Sequence, residues 1–342
     1  MSALTGAIAR LAAGDDLNAV EMKEALSVVM SGAGTPAQIG ALLMGLRMKG
    51  ETVEEIVAAA EVLRDLSTPV TVADKGHLID TCGTGGDGAS TFNISTATAL
   101  VCASAGAKVA KHGNRSVSSR SGSADVLEAA GAVLTLTPAQ VALCIDHVGV
   151  GFLFAPHHHE AMRHAAGPRR ELGIRTLFNM LGPLTNPARA PRQLVGVFSG
   201  ALLEPFASAL AALGGRHALV VHSDDGLDEI SPAAATDVCE MKNGVLSRYR
   251  LEPADFGLPT GEIDALKVDS AGASLDVLKR VLAGRDQGPA TVAVILNAGA
   301  ALYVAGLVAD IGAGVAHAQA LLQEGRPAAK LDEFVAFTRG LV

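Results

Sequence analysis

Between the apolar run Leu78-Ile79-Asp80-Thr81-Cys82 and a helix-like stretch that opens at Thr91-Phe92-Asn93-Ile94-Ser95-Thr96 lies Gly83-Thr84-Gly85-Gly86-Asp87-Gly88, four glycines in six residues. So dense a glycine run costs backbone entropy unless the main chain must come close to something. A strand, a glycine loop and a helix N-terminus together form an anion cradle, because side chains are absent, amides point inward and the helix dipole adds positive potential. The bland alternative is a glycine turn with no ligand. The spacing also satisfies GxGxxG, but a dinucleotide site needs an acidic residue roughly 20 positions on, at the end of the next strand. The chain has Lys108-Val109-Ala110-Lys111-His112 there, which is the wrong sign. No GxxxxGK[ST] follows, which removes a triphosphatase P-loop.

Charge sharpens the anion reading. No acidic residue stands between Asp87 and Asp125, whereas Lys108, Lys111, His112, Arg115 and Arg120 all fall in that window, in a chain of formal net charge -8. These bases are interleaved with Gly113, Asn114, Ser116, Ser118, Ser119, Ser121, Gly122 and Ser123. Mixed hydroxyls, amides and cations suit a phosphate ester better than a solvated helix face.

A second cluster follows the apolar run Ala218-Leu219-Val220-Val221. In His222-Ser223-Asp224-Asp225-Gly226-Leu227-Asp228-Glu229, four carboxylates occupy six residues where parallel sheets place their ligands. Beside a diphosphate they would repel it unless a divalent cation lay between, and magnesium commonly bridges carboxylates to phosphates. A solvated acidic turn is the alternative. His157-His158-His159, with His164 nearby, cannot all converge on one ion in a regular element, so a packing or hydrogen-bonding role is expected. No GxSxG nucleophile motif occurs. This fits a dissociative glycosyl transfer, in which the protein positions reactants and stabilises a departing diphosphate.

The rest of the chain supports an α/β protein with a helical companion. From Leu17 to Leu66 the apolar spacing is helical, with breaks near Gly32 to Pro36 and at Lys49-Gly50, and with Thr35 and Thr52 as N-caps of the second and third of three helices. Ser67-Thr68-Pro69 reads as a hinge. Beyond it, short apolar runs at Leu78, Lys108, Val150, Leu194 and Ala218 alternate with helical stretches, as in a mostly parallel sheet. Residues 289–306 are ambiguous between strand and helix. Hydrophobic residues make up 49% of the 342 but aromatics only 3%, so Ala, Val, Leu and Ile must build the core. Cys82, Cys102, Cys144 and Cys239 form no CxxC pair, which argues against zinc and against a disulfide framework. Neither a leader-like N-terminus nor an apolar run of membrane-spanning length is visible, so a cytoplasmic location is expected, and the acidic charge argues against nucleic acid as a partner.

At these residues the sequence resembles the anthranilate phosphoribosyltransferases. The resemblance is carried by Asp80 through Gly88, Thr91 through Thr96, Lys111-His112-Gly113-Asn114-Arg115 on to Ser118-Ser119, Asn179-Met180-Leu181-Gly182-Pro183-Leu184-Thr185-Asn186-Pro187, and Asp225-Gly226-Leu227-Asp228-Glu229-Ile230-Ser231. It extends to Thr35 through Ile39 and Leu46 through Thr52. It implies a small all-helical domain, residues 1–70 completed by helices near 165–190, beside a large α/β domain, residues 71–342, with a mostly parallel sheet of the nucleoside phosphorylase and phosphoribosyltransferase type. Chains would pair as a homodimer through the helical domain.

By position, the resemblance assigns phosphoribosyl diphosphate to Gly83, Gly86, Asp87, Thr91, Asn93, Ile94, Ser95, Thr96, Lys111, His112, Gly113, Asn114, Arg115, Ser116, Val117, Ser118, Ser119 and Ser123. Magnesium falls to Ser95, Asp228 and Glu229. Anthranilate falls to Gly83, Asn114 and Arg169, where a guanidinium can pair with the acceptor carboxylate; the alternative for Arg169 is a surface arginine. No residue is expected to act as nucleophile or general base. Two departures stand out: Glu160 follows His159 where the family usually has proline, and Ser223 replaces a common glycine. Neither is expected to touch an assigned residue. The rival readings are a pyrimidine nucleoside phosphorylase, which would not need the Asp228-Glu229 pair, and a non-catalytic relative that binds nucleic acid.

Overall fold

The computed structural model describes residues 2–116 and 120–342. Its N-terminal part is helical: α1 (Ala3–Ala12), α2 (Ala19–Met30), α3 (Pro36–Lys49) and α4 (Val53–Leu66). Thr35 and Thr52 cap α3 and α4 through reciprocal bonds with Gln38 and Glu55, and Asn18 caps α2 in the same way with Glu21. Glu55 is fully buried and does more than cap. Its carboxylate also accepts the Leu17 N–H at 2.9 Å and the Lys49 ammonium at 2.9 Å, tying the starts of α2 and α4 to the end of α3. Helix α1 lies outside the three helices expected from the apolar spacing.

Seven strands form one sheet in the order β3-β2-β1-β4-β5-β6-β7. They are β1 (Leu78–Asp80), β2 (Lys108–Gly113), β3 (Val150–Phe154), β4 (Arg192–Gly196), β5 (His217–Ser223), β6 (Thr236–Lys242) and β7 (Val245–Leu251). The first five pair in parallel, while β6 and β7 add an antiparallel hairpin. From β1 the chain crosses to β2 through α5 (Ile94–Ser104), while β4, on the other flank of β1, leads away to β5. The connections therefore lead to opposite sides of the sheet at β1 and β4, and open sheets of this kind bind ligands beyond the carboxyl ends of their strands at such a switch point.

Two apolar clusters hold the molecule together. One joins β1–β3, α5 and the C-terminal helices Pro289–Ala305, Ile311–Gln323 and Arg326–Arg339. The other joins α1–α4 to Leu177, Phe178 and Leu181 and, through Leu203, Phe206 and Leu210, to Val195, Val220 and Met241 on the sheet. Helices Arg163–Leu172 and Leu177–Leu184 pack on α2, α3 and α4, although they follow β3 in the chain. The ambiguous segment is a helix, Pro289–Ala305, apolar on every side and almost wholly buried. Complete burial removes the one-sided periodicity that would have marked it as helical.

Candidate active site

β1 ends at Asp80, whose fully buried carboxylate accepts the His112 N–H at 3.1 Å and the Asn186 side-chain amide at 2.7 Å; Asn186 also donates to the Ala110 carbonyl at 2.8 Å. Burial pushes Asp80 up to about 6. This bracket fixes the ends of β1 and β2, from which both phosphate-like motifs depart.

The glycine loop then crosses to β4. Thr84 N–H donates to the Gly196 carbonyl at 2.8 Å, and Phe198 N–H donates to the Thr84 hydroxyl at 3.1 Å. The acidic turn after β5 presses on the same spot, with Gly85 N–H donating to Asp228 Oδ2 at 2.7 Å. A Cβ on Gly83 would meet Asp228 Oδ2 at 2.7 Å, and one on Gly196 would fall 1.4 Å from the Asp228 carbonyl oxygen. Glycine at these two positions lets the acidic turn reach the loop.

Of the four carboxylates in that turn, two are occupied locally. Asp224 pairs with Arg250, and Asp225 accepts the Ser231 hydroxyl at 2.6 Å. Asp228 and Glu229 lie together beside the loop, and Asp87 on the loop is close enough for its charge to act on both. Burial, and then the charge of Asp87, push Asp228 well above the usual carboxylate range. Burial, and then the charge of Asp228, do the same to Glu229. A site that raises proton affinity in this way calls for a cation.

Lys111 lies at the inner edge, buried, donating to the Thr81 carbonyl at 2.7 Å and to the Ser95 hydroxyl at 3.1 Å, and its charge draws Glu229 back down. Ser95 stands in the first turn of α5. Among the described residues no three His, Cys, Asp or Glu side chains form a ready-made cage. An all-oxygen set of two carboxylates and a hydroxyl, Asp228, Glu229 and Ser95, fits magnesium, which keeps several waters and shares its shell with phosphate oxygens.

The opposite wall follows β2. Asn114 is exposed, and its carbonyl accepts from Ala124 N–H at 3.2 Å. Asp125 closes this loop by accepting the Ser116 and Gly122 N–H groups at 3.0 and 2.9 Å. Arg115 turns outward: its guanidinium pairs with Glu128 at 2.7 Å and lies over the Phe154 ring. Asn93 is held by the Ser121 and Ser274 hydroxyls at 2.9 and 2.7 Å, so its side chain anchors α5 to the loop. Ile94 is buried in the core, and Thr96 carries a buried hydroxyl without a partner among the described residues. Thr91 bridges to Lys267, and Ser123 begins the helix Ser123–Ala129 beside Asn114. Val117, Ser118 and Ser119 lie outside the described residues.

Arg169 sits in helix Arg163–Leu172, half-buried, 5.2 Å from the centre of the Phe178 ring; burial lowers its pKa and no carboxylate neutralises it among the described residues. The histidines pack. His158 Nδ1 bonds the Thr68 carbonyl at 3.0 Å, while His159 and His112 meet edge to face at 5.2 Å, each with Nε2 buried and without a hydrogen-bond partner among the described residues. Burial pushes His112 and His159 down to about 3 and about 4, so both are neutral. His112 Nδ1 also bonds the Gly182 carbonyl at 3.0 Å, linking β2 to helix Leu177–Leu184.

One expectation needs correction. Ser223 does touch an assigned residue: its hydroxyl donates to the Glu229 carbonyl at 2.7 Å and pairs with Thr236 Oγ1 at 2.6 Å. It lies under the acidic turn, because β5 runs straight into that turn. Among the described residues Glu160 pairs with Arg163, at the surface. The residue alphabet alone did not single out Gly196, Asn186 or Arg175. An asparagine in an apolar stretch and a glycine ending a strand were the available signals for the first two.

The models of the glycosyl transferase family match in two parts, the helical bundle domain at residues 5–67 and the a/b domain at residues 75–328. The anthranilate phosphoribosyltransferase of Thioalkalivibrio sulfidiphilus is 57% identical over 94% of this chain and 95% of its own, and that of Alkalilimnicola ehrlichii is 57% identical over 98% and 99%. Among solved structures, the enzyme from Thermus thermophilus superposes with a TM-score of 0.93 at 42% identity, over 99% of this chain and all of that one. The Saccharomyces cerevisiae enzyme in complex with PRPP and Mg superposes with a TM-score of 0.90 at 27% identity, over 99% and 98%. With sequence and fold in agreement over nearly its whole length, this chain belongs to the anthranilate phosphoribosyltransferases.

Proposed function

We propose that the protein transfers the phosphoribosyl group from phosphoribosyl diphosphate to anthranilate, giving N-(5-phosphoribosyl)anthranilate and diphosphate, as a magnesium-dependent step of tryptophan biosynthesis. The observation that carries this reading is the meeting of the glycine loop with Asp87, Asp228 and Glu229 at the switch point of the sheet. Loop amides and the α5 N-terminus suit an anion, and raised carboxylates beside them suit a cation that the anion shares. The Saccharomyces cerevisiae relative has been solved in complex with PRPP and Mg and with 4-fluoroanthranilate, which supports both substrates.

On this reading Gly83, Gly86, Asp87, Thr91, Asn93 to Thr96 and the segment 111–119 with Ser123 bind the donor. Several of them act through main-chain groups, since Ile94 is buried and the side chains of Asn93 and Arg115 are engaged elsewhere. Ser95, Asp228 and Glu229 would hold magnesium, which neutralises charge on the diphosphate. Arg169 and Asn114, with Gly83, bind the acceptor, and the unpaired guanidinium of Arg169 suits a carboxylate. The anthranilate amine forms its bond to the ribose anomeric carbon as the bond to diphosphate breaks, and an amine proton leaves to solvent. An aromatic amine is already unprotonated at neutral pH, so no strong base is needed. Lys111, fixed on Thr81 and Ser95, is positioned to stabilise the leaving group.

We also place the domain boundary near residue 70, the homodimer contact on the helical domain and the location in the cytoplasm. No helix among the described residues is long and apolar enough to cross a membrane. The reaction is tested by following anthranilate fluorescence with magnesium. Anthranilate should disappear only when phosphoribosyl diphosphate is present, with one diphosphate released per anthranilate lost. Release of free base from uridine or thymidine with inorganic phosphate would move the protein to the phosphorylases.

A further inference from the structure

Arg175 lies between the helices Arg163–Leu172 and Leu177–Leu184, and no ion pair holds it among the described residues. Its guanidinium donates to the Gly86 carbonyl, on the glycine loop, and rests 4.4 Å from the centre of the Phe198 ring. Phe198 itself touches the loop, through its N–H to the Thr84 hydroxyl. A closed circuit results: helical arm to Gly86, Gly86 along the loop to Thr84, Thr84 to Phe198, and Phe198 back to the guanidinium.

Gly85 and Gly86 have φ of +65° and +79°, in the region where glycine moves freely and side chains rarely go. Two consecutive contacts fix the peptides there. Gly85 N–H is held by the Asp228 carboxylate on one side, and the Gly86 carbonyl by Arg175 on the other. In a trans peptide the C=O of Gly86 and the N–H of Asp87 point in opposite directions. Drawing the carbonyl toward the arm therefore turns the Asp87 amide to the other side of the loop. Without that hold, a rotation of this peptide would bring a carbonyl oxygen toward a bound anion in place of an amide.

We propose that Arg175 is a positioning residue for the phosphoribosyl diphosphate donor: it holds the Gly86 peptide in the anion-binding orientation, with Phe198 as the platform that keeps the guanidinium in place. The inference rests on the donor reading above, and the wild-type assay tests that reading separately. Loss of a charge-assisted hydrogen bond predicts that Arg175→Ala and Arg175→Gln raise the donor KM by about tenfold or more. The anthranilate KM at saturating donor should stay within about twofold, because Arg169 and Asn114 are untouched. Phe198→Leu should give a smaller rise in donor KM, of about threefold, in line with a lost cation–π contact.

The experiment measures both KM values for wild type, Arg175→Ala, Arg175→Gln and Arg175→Lys, with donor binding by calorimetry in the absence of anthranilate, and repeats Arg175→Ala with millimolar guanidinium ion. Expected are weaker donor binding in Ala and Gln, partial recovery in Lys, and recovery of Arg175→Ala by guanidinium at an unchanged melting temperature. Wild-type donor binding in Arg175→Ala, or an equal rise in both KM values, would overturn the proposal. An inactive wild type would instead count against the donor reading.

Discussion

The glycine loop is held through its own backbone, Gly85 N–H on the Asp228 carboxylate and Thr84 N–H on the Gly196 carbonyl, whereas Arg169 on the other wall is a side chain resting over the Phe178 ring. The first arrangement tolerates almost no substitution, since a single added Cβ at Gly83 or Gly196 would strike the Asp228 segment. The second is looser. Arg169 leans on one ring, and His112 and His159 are packed as neutral groups whose buried Nε2 atoms have no hydrogen-bond partner among the described residues. Backbone suits a ligand that is all charge and oxygen, while separately mounted side chains suit a flat acceptor bearing one carboxylate.

If that contrast is right, damage on the donor side should exceed damage on the acceptor side. The double variant Asp228→Asn, Glu229→Gln should fold, because neutral amides relieve the repulsion among Asp87, Asp228 and Glu229. It should nonetheless lose turnover by about 10²- to 10³-fold, the scale of removing preorganised charge stabilisation. Turnover near wild type would mean that the acidic turn is only structural. On the acceptor side, Arg169→Ala should raise the anthranilate KM by roughly one to two orders of magnitude and leave the donor KM nearly unchanged, as loss of a single charge-assisted contact does. Equal weakening of both substrates would place Arg169 on the phosphate instead.

The same contrast decides what could be read from the sequence. Contiguous motifs were legible: the glycine loop, the basic and hydroxyl-rich stretch and the acidic turn each fall on one strand end, and the sheet brings them together. The five parallel strands and the caps at Thr35 and Thr52 were legible for the same local reasons. Contacts between distant segments were not. Nothing near Ser223 shows that its hydroxyl holds the Glu229 carbonyl, and nothing near Arg175 points to Gly86, 89 positions earlier.

Some local signals were present and passed over. Asn243 and Gly244, with φ of 52° and 82°, form the two-residue turn of the β6–β7 hairpin, a pairing that favours this turn. Helix Pro289–Ala305 failed for the opposite reason, since burial on all sides leaves no polar stripe to count. Two of the acids in the turn, Asp224 and Asp225, serve Arg250 and Ser231, which composition cannot distinguish from Asp228 and Glu229.

On the proposed function the carboxylates around the glycine loop would hold the donor through a cation rather than directly. Calorimetric titration of phosphoribosyl diphosphate into the protein, with magnesium and then with chelator, tests it without turnover. The account predicts tight binding with magnesium, binding weaker by at least about tenfold with chelator because the Asp87, Asp228 and Glu229 carboxylates then face the diphosphate directly, and little difference between the two conditions in the Asp228→Asn, Glu229→Gln variant. Equally tight binding by the wild-type protein with and without magnesium would contradict it.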